Sequence, residues 1–236
     1  VGTAAQQVTV AAGAPDQVVV PASGGNDPFV AVFGPDGAVR RGYVPINTAT
    51  FDDDSATSVA AVHDGGPVVC GAMRPNPAGD GTDFYLSWLS GTGSSNFHYR
   101  FIGPGEDRAT GVASRNGFGV AVVAMFEQEV GVASVGGSSL TSAGGSDVYV
   151  GVFGDRGNLK WTARIGGAGD DAAFGVDMFP DGDVVVSGSI AGQAEITAGG
   201  ATTTLQATGG ADDHDVFGAR FDATGALRWP RTGGGA

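Results

Sequence analysis

Carboxylates dominate the chemistry this sequence could perform. Asp52, Asp53 and Asp54 are consecutive, Glu106 precedes Asp107, Asp170 precedes Asp171, and Asp212, Asp213, His214 and Asp215 form a fourth run. Neighbouring acids suit two tasks. They gather the several oxygens that Ca²⁺ accepts in flexible geometry, or, where burial separates their acidities, they act as an acid–base pair in hydrolysis. The metal reading selects Asp53, Asp54, Glu106, Asp107, Asp170 and Asp171; a ligand-binding reading selects Asp212, Asp213 and His214. The string GGAGDDAAF at 166–174 fits one calcium-coil nonapeptide, but such coils are built from tandem copies. Against these readings, Asp favours turns because its short side chain bonds the adjacent backbone, so a recurring Asp is more often a turn residue than a ligand.

The rest of the composition removes several classes. With 25 acidic and 12 basic side chains the formal net charge is −13, which repels phosphate backbones and anionic lipid and excludes nucleic-acid partners. A basic protein surface or a cation is the electrostatic alternative. No apolar run approaches the ~20 residues of a membrane-spanning helix, so membrane insertion is not expected. The single Cys70 excludes an internal disulfide and a multi-thiolate metal centre, and at the end of a Val-Val-Cys run it reads as a small buried hydrophobe. There is no Gly-x-Ser-x-Gly elbow and no phosphate loop, and Lys160 sits beside Trp161 in a strand. His63, His98 and His214 occupy unrelated positions and form no relay.

The elements that must position the acids come from an internal repeat. Four segments begin with Asp and carry an aromatic at +2, an apolar residue at +6 and Gly at +10; they start at Asp27, Asp83, Asp147 and Asp215. The last three add an aromatic at +14 (Phe97, Trp161, Trp229), where the first has Arg41. Val-rich runs separated by Gly, Asp or Asn turns precede each segment and read as strands. Each repeat thus holds about four strands, in units of about 8–46, 59–101, 112–165 and 176–232 within one domain, 1–236. The run Phe29–Phe33 is apolar on both faces, as in a strand covered on both sides. The fold expected is all-β: a β-propeller of about four four-stranded antiparallel blades, either a closed four-bladed disc or a fragment of a larger propeller. Phe97, Trp161 and Trp229 are expected between blades, with Trp88 packed as well.

Strand alternation then sorts the loops. Turns between strands one and two, and three and four, lie on one face; two-to-three loops and blade connections lie on the other, with the acids. Loops on a rigid scaffold are where binding usually resides.

The strings GGSDVYVGVFGDRGNLKWTARIGGAGDDAAFGVDMFPDGDVVVSGSI (144–190) and DDHDVFGARFDATGALRWPRTGGG (212–235) resemble bacterial SBBP-type β-propeller repeats. SVGGSSLTSAGGSD (134–147) resembles the blade insertion of that family. The resemblance implies a propeller fold and an extracellular or cell-surface location in bacteria, and it carries no catalytic residue. The function expected is a non-enzymatic binding or assembly module whose acidic loop face takes Ca²⁺, a basic protein or a glycan, with self-assembly through its surfaces. The alternatives are a carbohydrate-binding propeller and a hydrolase using acidic-face carboxylates.

Overall fold

The computed structural model describes residues 1–4, 7–10, 17–20, 25–45, 53–62, 66–74, 81–91, 95–132, 139–208 and 213–235. Among these, every regular element is a β-strand. The first unit supplies β1 (Gly2–Ala4), β2 (Val8–Val10), β3 (Val18–Val20), β4 (Asp27–Phe33) and β5 (Val39–Tyr43). The second supplies β6 (Ser55–Ala61), β7 (Pro67–Met73), β8 (Gly81–Leu89) and β9 (Ser95–Ile102), followed by the short β10 (Gly105–Glu106). The third holds β11 (Arg108–Arg115), β12 (Gly119–Phe126), β13 (Glu129–Val132), β14 (Leu140–Thr141), β15 (Asp147–Phe153) and β16 (Leu159–Gly167). The fourth holds β17 (Ala172–Met178), β18 (Val184–Ala191), β19 (Gln193–Ala198), β20 (Ala201–Gln206), β21 (His214–Phe221) and β22 (Leu227–Gly233).

Three of the four expected meanders form: β6-β7-β8-β9, β11-β12-β15-β16 and β17-β18-β21-β22 are each antiparallel and hydrogen-bonded in chain order. The first does not. There β2 and β3 make a separate two-stranded sheet, and β1 takes the edge of β4 that β3 would occupy, pairing Gly2 with Phe29. A side chain at Gly2 would meet the Phe29 ring, so glycine permits this exchange.

The two-to-three insertions have a consistent destination. β13 leaves the third unit and pairs with β9 of the second, and β19 leaves the fourth and pairs with β16 of the third. Each insertion hairpin therefore adds two strands to the preceding sheet, giving the orders β14-β13-β9-β8-β7-β6, with β10 joined to β8 off this path, and β11-β12-β15-β16-β19-β20. One three-to-four turn design recurs: Gly37, Gly157 and Gly225 adopt positive φ of 79°, 80° and 89°, each followed by a bulge in the same ladder position. Glycine tolerates that conformation without a Cβ penalty.

Burial follows from stacking the sheets face to face. β7 and β15 are buried along their whole length, because the second and third sheets are each covered on both sides. Between them lie Phe84, Phe101, Tyr149 and Phe153; between the third and fourth lie Val148, Val150, Ile165, Phe217 and Phe221. Trp161 packs against Phe221 of the next sheet, as its repeat position suggested, whereas Phe97 packs edge-on against Trp88, its cross-strand partner within the second sheet, and Trp229 lies half-buried beside Arg220 in the fourth. β4 behaves differently. Its expected double coverage is absent, for Val30 is buried against the second sheet while Phe33 on the other side is 56 % exposed. Val216, on the far face of the fourth sheet, is 62 % exposed. Phe33 and Val216 thus stand exposed on the two faces that closure of a four-unit ring would bury.

The Phe153 ring stacks on Tyr99 of the second sheet with centroids 5.1 Å apart. Phe153→Ala is expected to lower unfolding free energy by about 3–5 kcal/mol in urea titrations. Val216→Ala, at an open face, should change it by no more than ~0.5 kcal/mol.

Candidate functional site

The acids converge on one end of the stack, and hydrogen bonds between sheets align that end. Asp54 N–H donates to Asn26 O (2.8 Å), Asp107 N–H to Thr82 O (2.6 Å) and Asp171 N–H to Ser146 O (2.6 Å). Each bond ties a connection to the residue just before the strand-leading Asp of the preceding sheet. At the opposite end Arg115 reaches Met178 O (2.9 Å) and Lys160 reaches Phe118 O (2.8 Å).

The second acid of each connection turns inward. Asp54, Asp107 and Asp171 are 1 %, 0 % and 0 % exposed. Each accepts a backbone N–H from the residue twenty positions later: Arg74 (3.3 Å), Glu127 (3.0 Å) and Ala191 (2.8 Å). Asp171 also accepts from Gly167 N (2.7 Å), so both its oxygens are engaged. The first acids point outward and tie the connection to the segment ahead of the preceding strand-leading Asp: Asp53 accepts from the backbone and side-chain amides of Asn26, and Asp170 from Ser146 N. Glu106 is exposed beside Thr82, with which β10 pairs in parallel with β8. The strand-leading Asp27, Asp83, Asp147 and Asp215 are buried too. Half of the anticipated acidic rim is therefore interior, where carboxylates anchor backbone between sheets.

Burying a carboxylate disfavours its charged form, and like charges nearby add to that effect. Burial pushes Asp107 up to about 7; the Glu127 N–H opposes this, while Asp83, Glu127 and Glu106 reinforce it. Burial likewise raises Asp171 to about 6 against the Ala191 and Gly167 N–H groups, with Asp147 raising it further and His214 lowering it. Asp83 and Asp147 are shifted upward by burial, opposed by Gly103 N–H and Arg100 in one case and by Ala143 N–H and Arg164 in the other. The Arg164 guanidinium lies 2.7 Å from Asp147 Oδ2. At the second connection, Asp83 Oδ2 and Asp107 Oδ2 are both closed to solvent and unpartnered. Gly103 separates them: its N–H donates to Asp83 Oδ1 (3.3 Å), and a Cβ there would stand 3.0 Å from Asp107 Oδ2 and against Glu129 O.

Of the ligand-binding set, Asp213 and His214 are exposed at the start of β21, and Asp212 lies outside the described residues, as do Asp52 and His63. Among the described residues, no three His, Cys, Asp or Glu side chains converge as a metal-binding group. Cys70 is buried and its thiol is pushed up to about 12 by desolvation. A charged cluster went unnoticed in the sequence. Asp183, 1 % exposed, accepts from Arg220 Nε (2.7 Å) and Arg228 Nε (2.6 Å), while Arg220 also reaches Asp181 (3.2 Å) and lies 4.1 Å over the Phe179 ring. These arginines occupy the short-turn end; the acids PDGD at 180–183 were its visible half.

No protein-family model matches this chain, and no curated protein matches it.

Two predictions follow from the buried acids. Asp171→Ala, which leaves two buried N–H groups unpaired, should destabilise by about 2–4 kcal/mol, and Asp170→Ala by under ~1 kcal/mol, in paired denaturant titrations. A folded-state pKa raised from 3.8 to about 7 means that Asp107 stabilises most in acid and loses that contribution as pH climbs through 7. The melting temperature should therefore fall between pH 5.5 and pH 8, and Asp107→Asn should flatten that slope.

Proposed function

We propose that this chain is a β-propeller-type repeat module, secreted or held at a bacterial cell surface, that binds and assembles without catalysing a reaction. The observation that carries the reading is the division of the acids at the loop-bearing end. Asp107, which burial raises to about 7, and Asp83 beside it, which burial also shifts upward, are sealed from solvent, so no glycosidic or ester bond reaches them. The acids at that end that do face solvent are Asp53, Glu106, Glu129, Asp170 and Asp213. What they offer is negative potential on a rigid support, the complement of a basic protein surface. A glycan platform has less support, since Phe97 packs against Trp88 and Tyr99 and Trp161 against Phe221.

A second reading, binding of a divalent cation, is favoured at the second connection. Asp107 Oδ2 and the Glu129 carbonyl lie against Gly103, whose N–H holds Asp83 by Oδ1 and leaves Asp83 Oδ2 unpartnered, and oxygen donors of that kind suit Ca²⁺.

Titration calorimetry with a decalysine peptide should show binding at ~10 mM NaCl that weakens at least tenfold at ~300 mM, as exposed charges are screened. The triple variant Asp53→Asn, Glu106→Gln, Asp170→Asn should bind more weakly still. Salt-independent or undetectable binding would remove the basic-partner reading. In the same protein at pH 8, millimolar Ca²⁺ should raise the melting temperature and a chelator reverse it; unchanged melting would remove the cation reading.

A further inference from the structure

Repeat register identifies what each free face would ordinarily meet. Phe153 pairs with Val120 and Phe221 with Val184, so β15 and β21 correspond residue by residue, as do β12 and β18. In the third sheet the face turned to its successor carries Ala113, Ala121, Val123, Val148, Val150, Val152, all buried. The matching positions of the fourth sheet are Asp177, Val185, Ser187, Val216, Gly218 and Arg220. Val216 is open there, and so is Phe174, at 68 % exposure. Phe174 occupies the strand-one bulge that Thr57 occupies in the second unit, where Thr57 Oγ1 donates to Ala109 O of the next sheet (2.7 Å). Gly111 sits against Val176 of the following sheet; its counterpart Gly175 lines an open groove of about 270 Å³ with Val185 and Ser187.

The first sheet presents the opposite half. Phe29 and Phe33 hold the positions of Tyr149 and Phe153, and of Phe217 and Phe221, pairs that pack backward onto the preceding sheet. Here Phe33 is exposed.

We infer that copies of this chain associate head to tail, the Phe29–Phe33 face of one seated on the Phe174–Val185–Val216 face of the next. The occupant is a second copy because the chain itself builds this kind of interface internally, and the two halves left over are the two that fit. Arg220, Asp177 and Ser187 replace apolar residues on the tail face, so the contact is weaker than the internal ones and reversible. A heterologous contact of this kind extends into rings or filaments. The inference deepens the reading of the chain as an assembling module.

Sedimentation equilibrium of the full chain should show mass rising with concentration. Phe33→Asp on the head and Val216→Arg on the tail should each weaken self-association at least tenfold, with Phe174→Asp as an independent tail variant. All three side chains are exposed, so circular dichroism melts should match the parent. Mixing the head variant with a tail variant should restore one competent interface and stop at a heterodimer, an outcome that a two-fold symmetric dimer does not produce. A strictly monomeric parent at ~1 mM, or a mixture that stays monomeric, overturns the proposal. Decalysine binding retained by a monomeric parent would show that the head-to-tail contact alone has failed and the binding module stands.

Discussion

A sheet that is apolar on both faces has to be covered on both faces, and the architecture of this chain grows from that requirement. β7, β12 and β15 present Val, Ala and aromatic side chains in both directions, so the second and third sheets are stable only between neighbours. Strands on the fourth sheet relax to alternation, with Phe217, Ala219 and Phe221 inward and Val216, Gly218 and Arg220 outward. The change of pattern within one repeat family shows coverage dictating composition.

Alignment of the sheets is the work of carboxylates rather than hydrophobic contact, which is non-directional. Asp54, Asp107 and Asp171 each join the end of one sheet to the second strand of the next through paired backbone bonds. Arg164 offsets one such burial at Asp147; its counterpart Arg100 turns to the Met73 sulfur instead and leaves Asp83 and Asp107 beside each other with unpartnered oxygens. Equivalent positions thereby differ in the cation that stands beside the buried carboxylate, while burial shifts Asp83, Asp107, Asp147 and Asp171 upward alike.

Much of the fold was legible because strands and turns repeat. The Asp-aromatic-apolar-Gly spacing located β8, β15 and β21, and the Val runs located β7, β12 and β18, although β6, β11 and β17 begin four residues before the anticipated starts. Three things were not legible. The displacement of β3 by β1 depends on a glycine meeting a ring across the sheet, which no local pattern encodes. The destination of the insertion hairpins depends on a neighbouring edge. The inward turn of Asp107 and Asp171 was hidden because adjacent acids look alike in a sequence, and only the backbone N–H twenty residues later distinguishes them.

The insertion hairpins have a further meaning for how such a chain can be divided. β13 belongs by sequence to the third unit and by hydrogen bonding to the second, and β19 repeats the arrangement one unit later. A cut through the connection at 103–107 would sever the second sheet from its outermost strands while leaving the third with an unpaired loop. Modular shuffling of such a polypeptide would therefore have to exchange overlapping segments, since no single repeat is a self-sufficient cassette.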